Sequence, residues 1–150
     1  MNDIRELYQE MILDHSRSPR NFGPLDRENL TAHGHNPLCG DDVSIHIYRS
    51  PAGVIEEITF EGSGCAISTA SASILTGVLK GRLEEDVRMV FSSFRNMVAA
   101  DGETPSGDGL GKLAVFSGVR QYPSRIKCAT LCWHTMIQAL DGNKEEVRTE

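Results

Sequence analysis

Apolar and polar residues alternate along one segment in the first third of the chain, Asp42-Val43-Ser44-Ile45-His46-Ile47-Tyr48-Arg49. A period of two is typical of a half-buried β-strand, because successive side chains of a strand point to opposite faces. Pro51 and Gly53 then favour a turn. A second alternating run extends from 54 to 61 and predicts the antiparallel partner of a β-hairpin.

The predicted hairpin determines which flanking residues meet. Cys39 lies just before the first strand and Cys65 just after the second. Because antiparallel strands run in opposite directions, these two positions fall at the same end of the sheet. In the second strand we expect two faces, one with Val54, Ile58 and Phe60 and the other with Ile55, Glu57, Thr59 and Glu61.

Helical periodicity dominates the rest of the chain. Apolar residues recur at three- and four-residue intervals, which predicts helices at 3–15, 66–79, 83–99 and 126–140, the last closed by Gly142. A short helix is also expected at 110–119 and a short strand near 30–33. Residues 101–109 are rich in loop formers and predict a mobile connection. The charged residues 144–150 predict a flexible, solvated tail.

Length and charge narrow the class of protein. With 150 residues the chain fits one domain, 1–150. The net charge of -6 argues against nucleic acid as a partner, since that binding depends on Lys and Arg neutralising phosphates. No apolar run approaches the roughly 20 residues needed to span a bilayer, so we expect no membrane segment. The chain begins without a secretory signal pattern, which favours a cytoplasmic location.

Three of the four cysteines have neighbours that suit a reactive or metal-binding thiol. In a reducing compartment thiols stay free, so metal binding or thiol chemistry is favoured over disulfides. Glycines flank Cys39 and Cys65, and Asp41 adds a carboxylate close to Cys39. Together with Cys128 these residues form a ligand set that suits tetrahedral zinc or an iron-sulfur cluster. Buried, inert thiols are the alternative.

Two further features should tune these thiols. A helix that begins after Cys65 places backbone N–H groups and the positive end of its dipole near the sulfur, which favours the thiolate. Arg125 and Lys127 flank Cys128 in sequence, and nearby cations should lower its pKa. These two basic residues are therefore candidates for tuning the site or contacting a partner, with plain exposed cations as the alternative.

Other candidate ligands have weaker claims. Cys132 follows Cys128 by one helical turn, and we expect a packed core thiol there rather than an auxiliary ligand. His33 and His35 lie near the Cys39 segment and could reach a metal, although surface or hydrogen-bonding histidines are the commoner outcome. Asp42 is expected to be a solvated or capping carboxylate.

Three segments, in this order along the chain, resemble the U-type iron-sulfur cluster assembly family: Asn36-Pro37-Leu38-Cys39-Gly40-Asp41, Gly62-Ser63-Gly64-Cys65 and Lys127-Cys128-Ala129-Thr130-Leu131. The resemblance implies an α+β domain, with a small antiparallel sheet of about three strands and helices packed on one face. It also implies a solvent-accessible metal site at the matching positions Cys39, Asp41, Cys65 and Cys128.

This chain differs from the IscU branch of that family in two places. Lys127 stands where the IscU branch carries histidine, and residues 122–127 replace that branch's Leu-Pro-Pro-Val-Lys chaperone-binding motif. Residues 107–121 resemble the insertion of the SufU branch. The chain is therefore more similar to the SufU branch.

The SufU-like resemblance implies a zinc-bound sulfur acceptor that works with a pyridoxal-phosphate (PLP) cysteine desulfurase rather than as a stand-alone enzyme. In that mechanism Cys39 leaves the zinc when the partner docks and attacks the partner's persulfide, while Asp41, Cys65 and Cys128 keep the metal.

Alternatives to the sulfur acceptor remain open. In an IscU-like scaffold, Cys39, Cys65 and Cys128 would hold iron or a transient [2Fe-2S] cluster that later passes to apoproteins, and Cys128 would be the alternative sulfur acceptor. A structural zinc-binding domain without chemistry is a further possibility. An independent thiol enzyme is disfavoured, because the sequence shows no base and orienting group for one.

Overall fold

A β-hairpin of the two alternating segments lies in a sheet covered by helices on one face. The computed structural model describes residues 3–99, 110–143 and 145–148. Its helices are α1 (Asp3–Arg17), α2 (Ala66–Leu79), α3 (Glu84–Val98), a 3₁₀ helix (Gly111–Gln121) and α4 (Pro123–Leu140). Its strands are β1 (Leu30–Asn36), β2 (Asp41–Arg49), β3 (Ile55–Ser63) and β4 (Val147–Arg148). The mixed α+β fold predicted from the sequence is confirmed.

The sheet has four strands in the order β3-β2-β1-β4, one more than expected. The first three are antiparallel to their neighbours, whereas β4 pairs parallel with β1 through Val147 opposite Gly34 and Arg148 opposite His35. These two residues of the predicted solvated tail therefore belong to the sheet. The charged composition of residues 144–150 could not predict this pairing, because strands pair through backbone N–H and C=O groups. The predicted loop at 101–109 lies outside the described residues.

One prediction about strand faces is wrong. Ile55 was expected on the polar face of β3, but its side chain is 1% exposed and belongs to the core with Ile58 and Phe60. The register explains the difference, since Tyr48 pairs with Glu57 while Arg49 pairs with Ile55, which leaves Glu56 as an extra residue. Such a β-bulge reverses the alternation at one point of a strand.

The apolar face of the sheet is covered by α4 and α2. Val43, Ile45 and Ile47 on β2 are buried, and α4 packs over β1 and β2 while α2 packs over β3. Gly34 permits the close approach of α4, because a Cβ there would lie 2.1 Å from Oγ1 of Thr135. This packing holds α4, and with it Cys128, against the sheet.

An aromatic cluster fills the space between α3, α4 and the 3₁₀ helix. The ring of Trp133 stacks on Phe94 at a centroid distance of 4.6 Å, and Phe94 meets Phe116 edge to face at 5.9 Å. All three residues are fully buried. Within the described residues no helix is both long enough and apolar enough to cross a membrane.

The last helix begins earlier than expected, at Pro123 rather than near Ile126. Proline is favoured at the first position of a helix, because its missing N–H would have no helical acceptor there. Pro123 is thus the start of α4. As a result Cys128 lies in the second turn of the helix rather than in its first.

Candidate functional site

Four of the predicted site residues come together at one end of the sheet. Cys39 lies on the turn between β1 and β2, and Asp41 is the first residue of β2. Cys65 is the N-cap of α2, directly after β3, and Cys128 faces them from α4. The hairpin register places Asp42 opposite Ser63, so the start of β2 and the end of β3 meet as the alternation predicted.

The distances define a cluster of sulfur and oxygen atoms. Sγ of Cys39 and Sγ of Cys128 are 3.2 Å apart. One ligand atom each from Cys39, Asp41 and Cys128 lies within 4.8 Å of the other two. Cys65 is not in that group of three, but its Sγ lies 3.9 Å from Oδ2 of Asp41. The four residues therefore form one connected cluster.

Asp41 is the buried carboxylate of the cluster, with no exposed surface. Burying a charge is costly unless it is paired or hydrogen-bonded. The backbone N–H of Cys65 donates to Oδ1 of Asp41 at 2.8 Å, which links β2 to the start of α2. Gly64 makes room for this contact, because a Cβ there would lie 2.5 Å from the same Oδ1.

The surroundings of Cys65 favour its thiolate. A hydrogen bond from Cys128 is the largest effect that lowers the pKa of Cys65 to about 6, against an opposing contribution from burial. The backbone N–H of Ser68, in the first turn of α2, also donates to Sγ of Cys65 at 3.4 Å. The expected stabilisation of this sulfur by the helix start is confirmed.

The expected effect on Cys128 is wrong in sign. Its pKa is raised rather than lowered, first because its thiol donates a hydrogen bond to Cys65, then because of burial, and then through Cys39 and Asp41. In sequence Cys128 is flanked by basic residues, but in space Cys65, Cys39 and Asp41 also lie close to it, and their effect raises its pKa.

The two basic candidates differ in their relation to the cluster. Arg125 interacts with all three thiols: its pKa is raised first by a hydrogen bond with Cys128 and then by the charges of Cys65, Cys128 and Cys39. The ammonium group of Lys127 forms no ion pair with any described residue. Arg125 is therefore the cation that the fold places at the site.

The remaining candidate ligands take part in other interactions. Cys132 is fully buried, its thiol donates to Oγ of Ser71 at 3.4 Å, and burial raises its pKa to about 12. The prediction of a packed core thiol is confirmed. His33 bonds to Asp42 through Nε2 and to Glu146 through Nδ1, the latter at 2.6 Å. It lies on the other face of the sheet from the thiol cluster, as the strand alternation dictates.

Sequence reasoning missed Asn36 as a member of the site. Its side chain is fully buried, with Nδ2 4.0 Å from Sγ of Cys128, and Oδ1 accepts a hydrogen bond from the backbone N–H of Leu38 at 3.2 Å. The residue belongs to the segment that carries the family resemblance, which was a usable signal. Its contact with Cys128 depends on how α4 packs, and no local pattern reveals that.

The donor atoms suit a soft metal ion. Three thiols and one carboxylate can supply four ligands, and zinc is commonly bound by four such S and O donors. The short distance between Sγ of Cys39 and Sγ of Cys128 is also suitable, because a metal site holds its thiolates close together. The cluster is partly buried. The residues present therefore fit a zinc ion.

Comparison with known proteins places the chain in a family. Residues 7–129 match the family described as NifU-like N terminal domain. The chain is 37% identical to the zinc-dependent sulfurtransferase SufU of Bacillus subtilis, over 89% of each protein. It is 35% identical to the iron-sulfur cluster assembly scaffold protein IscU of Streptococcus pyogenes, over 93% of this chain and 86% of that protein.

Solved structures agree with the fold. A crystal structure of FiSufU, from Fervidobacterium islandicum AW-1, matches with a TM-score of 0.81 and 30% identity, over 91% of this chain and 98% of that one. A structure described as a hypothetical protein matches with a TM-score of 0.82 and 36% identity, with the same coverage of each chain. The chain therefore belongs to the NifU-like N-terminal domain family, which includes the IscU and SufU proteins of iron-sulfur cluster assembly.

Proposed function

We propose that this protein is a zinc-dependent sulfur acceptor that takes persulfide sulfur from a cysteine desulfurase for iron-sulfur cluster biosynthesis. The observation that carries the proposal is the cluster of three thiols with one buried carboxylate, in which Cys39 alone lies on a turn. The similarity to a zinc-dependent sulfurtransferase over most of both chains supports it. Lys127 in place of a histidine ligand also favours the acceptor.

The site residues divide into anchors and a nucleophile. Asp41, Cys65 and Cys128 begin or lie on regular elements of the fold and are suited to hold zinc permanently. Cys39 lies between the exposed Leu38 and Gly40, whose φ is 70°. A residue on such a turn can move further than one on a helix or strand. When bound, zinc would act as a Lewis acid that keeps the coordinating sulfurs ionised.

The transfer itself is a thiol–persulfide exchange. The Cys39 thiolate attacks the outer sulfur of the partner's persulfide, so that one S–S bond forms on Cys39 as the S–S bond on the partner breaks. The partner's cysteine leaves as a thiolate, and the sulfur atom arrives on Cys39 as a new persulfide. The exchange needs no external oxidant or reductant, because one S–S bond replaces another.

The surface around Cys39 has features suited to a protein partner. Beside Cys39 the side chain of Leu38 is 72% exposed. At the start of α4, the helix that carries Cys128, the side chain of Tyr122 is 56% exposed. Arg125 adds a mostly exposed cation beside the thiols. A desulfurase that presents an anionic persulfide could be guided by this charge and docked by these apolar groups.

The scaffold role is the second candidate, because a relative of nearly equal similarity is named as the IscU scaffold. There the same thiols would hold a [2Fe-2S] cluster as cargo, destined for recipient apoproteins. The two roles differ in resting metal content and in which cysteine is required first. Loss of sulfur acceptance with Cys39 favours the acceptor, whereas a requirement for Cys128 alone favours the scaffold.

The test combines metal analysis with a desulfurase assay. The chain is purified without added metal, its zinc and iron are measured, and it is mixed with a cysteine desulfurase and cysteine. We expect stoichiometric zinc and faster sulfide release in the presence of reductant, and we expect Cys39→Ala to abolish the stimulation. Cys132→Ala is the matched control, since within the described residues the hydrogen bonds of this buried thiol go to Ser71 and to the Ala129 carbonyl rather than to the four site residues. Bound iron and sulfide without stimulation would favour the scaffold instead.

A further inference from the structure

Asn36 is a polar residue enclosed at the thiol cluster. It is the last residue of β1, its side chain has no exposed surface, and in the sheet it lies directly opposite Asp41. A buried amide is costly unless its polar atoms find partners. The hydrogen-bond partners of the Asn36 amide therefore indicate what this residue does at the site.

The two ends of the Asn36 amide contact different parts of the site. Oδ1 accepts a hydrogen bond from the N–H of Leu38 at 3.2 Å, which stabilises the turn that carries Cys39. Nδ2 lies 4.0 Å from Sγ of Cys128, a long contact at the outer limit for a bond to sulfur. One side chain thus links the turn between β1 and β2 to helix α4.

The donor end favours the ionised form of the sulfur. Within the described residues, Cys128 is the acceptor found for the amide nitrogen of Asn36. An anionic acceptor forms shorter and stronger hydrogen bonds than a neutral one. The long contact is therefore expected to shorten when Cys128 is a metal-bound thiolate. A hydrogen-bond donor held at a ligand sulfur stabilises the metal-bound form and orients the ligand, which raises metal affinity.

We propose that Asn36 is a positioning residue that raises the metal affinity of the site by donating a hydrogen bond to the Cys128 sulfur and fixing the Cys39 turn. This inference rests on the proposed zinc site. Groups that hydrogen-bond to metal ligands typically contribute 10- to 100-fold to metal affinity. A role limited to the turn is the competing interpretation, and it predicts that only the acceptor end of the amide matters.

Two substitutions separate the ends of the amide. Asn36→Ser and Asn36→Asp both keep an oxygen that can accept from the N–H of Leu38, as serine and aspartate do in such turns. Both remove the amide N–H that faces Cys128. The serine hydroxyl is shorter than the amide and uncharged, so Asn36→Ser separates loss of this donor from the negative charge that Asn36→Asp adds. The matched control is Asn29→Asp. Within the described residues the amide of Asn29 bonds to the backbone of Arg49 rather than to a thiol, with Nδ2 2.7 Å from the carbonyl oxygen.

Zinc affinity is measured by competition with a chromogenic chelator, and the metal-free melting temperature is measured in parallel. We expect zinc binding to weaken by about 10-fold or more in both Asn36 variants, with little change in Asn29→Asp. The metal-free melting temperature of Asn36→Ser should stay close to that of the unaltered chain. Affinity within about twofold of the unaltered chain in Asn36→Ser would overturn the role of Asn36, whatever Asn36→Asp shows, because aspartate also adds a negative charge beside the thiols.

A spectroscopic readout distinguishes direct contact from a loosened turn. With Co²⁺ in place of zinc, the sulfur-to-cobalt charge-transfer band reports on the thiolates. Loss of an N–H···S bond makes the sulfur a stronger electron donor, so the band should move to lower energy in both Asn36 variants. An unmoved band would show that Asn36 acts only on the turn and would contradict the inference. If the unaltered chain binds neither metal, the proposed site itself fails.

Discussion

The buried carboxylate of Asp41 is held by contacts that depend on a neighbouring residue without a side chain. Its Oδ1 accepts from the N–H of Cys65, and the approach of the Cys65 segment is possible because residue 64 is glycine. The sequence motif showed that Asp41 and Cys65 belong to one site. It did not show that Gly64 matters for steric reasons, since that follows from the final separation of β2 and the segment after β3.

Replacing Gly64 with alanine should displace the carboxylate without unfolding the chain. The added Cβ would lie 2.5 Å from Oδ1 of Asp41, and the side chain of Asp41 can rotate away only by losing its bond to Cys65. We expect zinc affinity to fall by about 10-fold, measured by chelator competition.

Gly77→Ala in helix α2 is the matched control, because a Cβ there meets nothing within 4 Å. Alanine is the better helix former, so this variant should gain about 0.5–1 kcal/mol of stability and keep its zinc affinity. Unchanged zinc binding in Gly64→Ala would contradict the steric account.

At the scale of elements, the sequence predicted most helices and strands, but it did not predict a bulge within one strand or the first residue of the last helix. Helix α2 matches its predicted bounds, because Cys65 caps its start and the following apolar pattern is regular. The β3 bulge at Glu56 and the early start of α4 at Pro123 were missed. The bulge depends on how β3 pairs with β2. The start of α4 depends on a proline, which is equally typical of a turn.

The pairing of β4 with β1 should depend on pH through His33. Partial burial lowers the pKa of His33, but hydrogen bonds and charges from Asp42 and Glu146 outweigh it, and the net pKa is raised. The stabilisation is therefore fully present below the unfolded-state pKa of about 6.5 and is lost as pH rises through the folded-state value. Because the pair is partly exposed, we expect about 0.5 kcal/mol.

Glu146→Gln tests this dependence through the free energy of unfolding. The variant should lose more stability at about pH 6 than at about pH 8, since only protonated His33 forms an ion pair with Glu146. The contact of Glu146 with Arg148, at 3.9 Å, contributes equally at both pH values and cancels in the comparison. A loss that is equal at both pH values, or larger at the higher one, would contradict the prediction.

At the scale of the whole molecule, the core and the thiol cluster are separate parts of the structure. The aromatic cluster around Trp133 and the buried face of β2 form the core, whereas the thiols lie at one end of the sheet. The sequence predicted that Cys39 and Cys65 lie at the same end of the sheet, because antiparallel pairing of the hairpin is enough to place them there. The raised pKa of Cys128 could not be predicted, because it depends on spatial neighbours from two other segments, 39–41 and the one that carries Cys65.

Removing zinc should therefore leave the fold intact. A core of this size does not need the roughly 10–16 kcal/mol that zinc contributes to small zinc domains. We expect a chelator to lower the melting temperature while helical content and cooperative unfolding persist, as followed by circular dichroism. The shift should correspond to a few kcal/mol, because bound ligand stabilises by about 2.7 kcal/mol at 100 times its dissociation constant. Unfolding of the whole domain when zinc is chelated would instead favour a purely structural role for zinc.

The central claim concerns which sulfur accepts the transferred atom, and mass spectrometry tests it most directly. The zinc-loaded chain is incubated with a cysteine desulfurase and cysteine, alkylated to trap persulfides, and digested. We expect one added sulfur atom on the peptide that carries Cys39, none on the peptide that carries both Cys128 and Cys132, and loss of the modification in Cys39→Ser. Fragmentation of the second peptide distinguishes its two cysteines. A persulfide that appears first on Cys128, or that persists in Cys39→Ser, would contradict it.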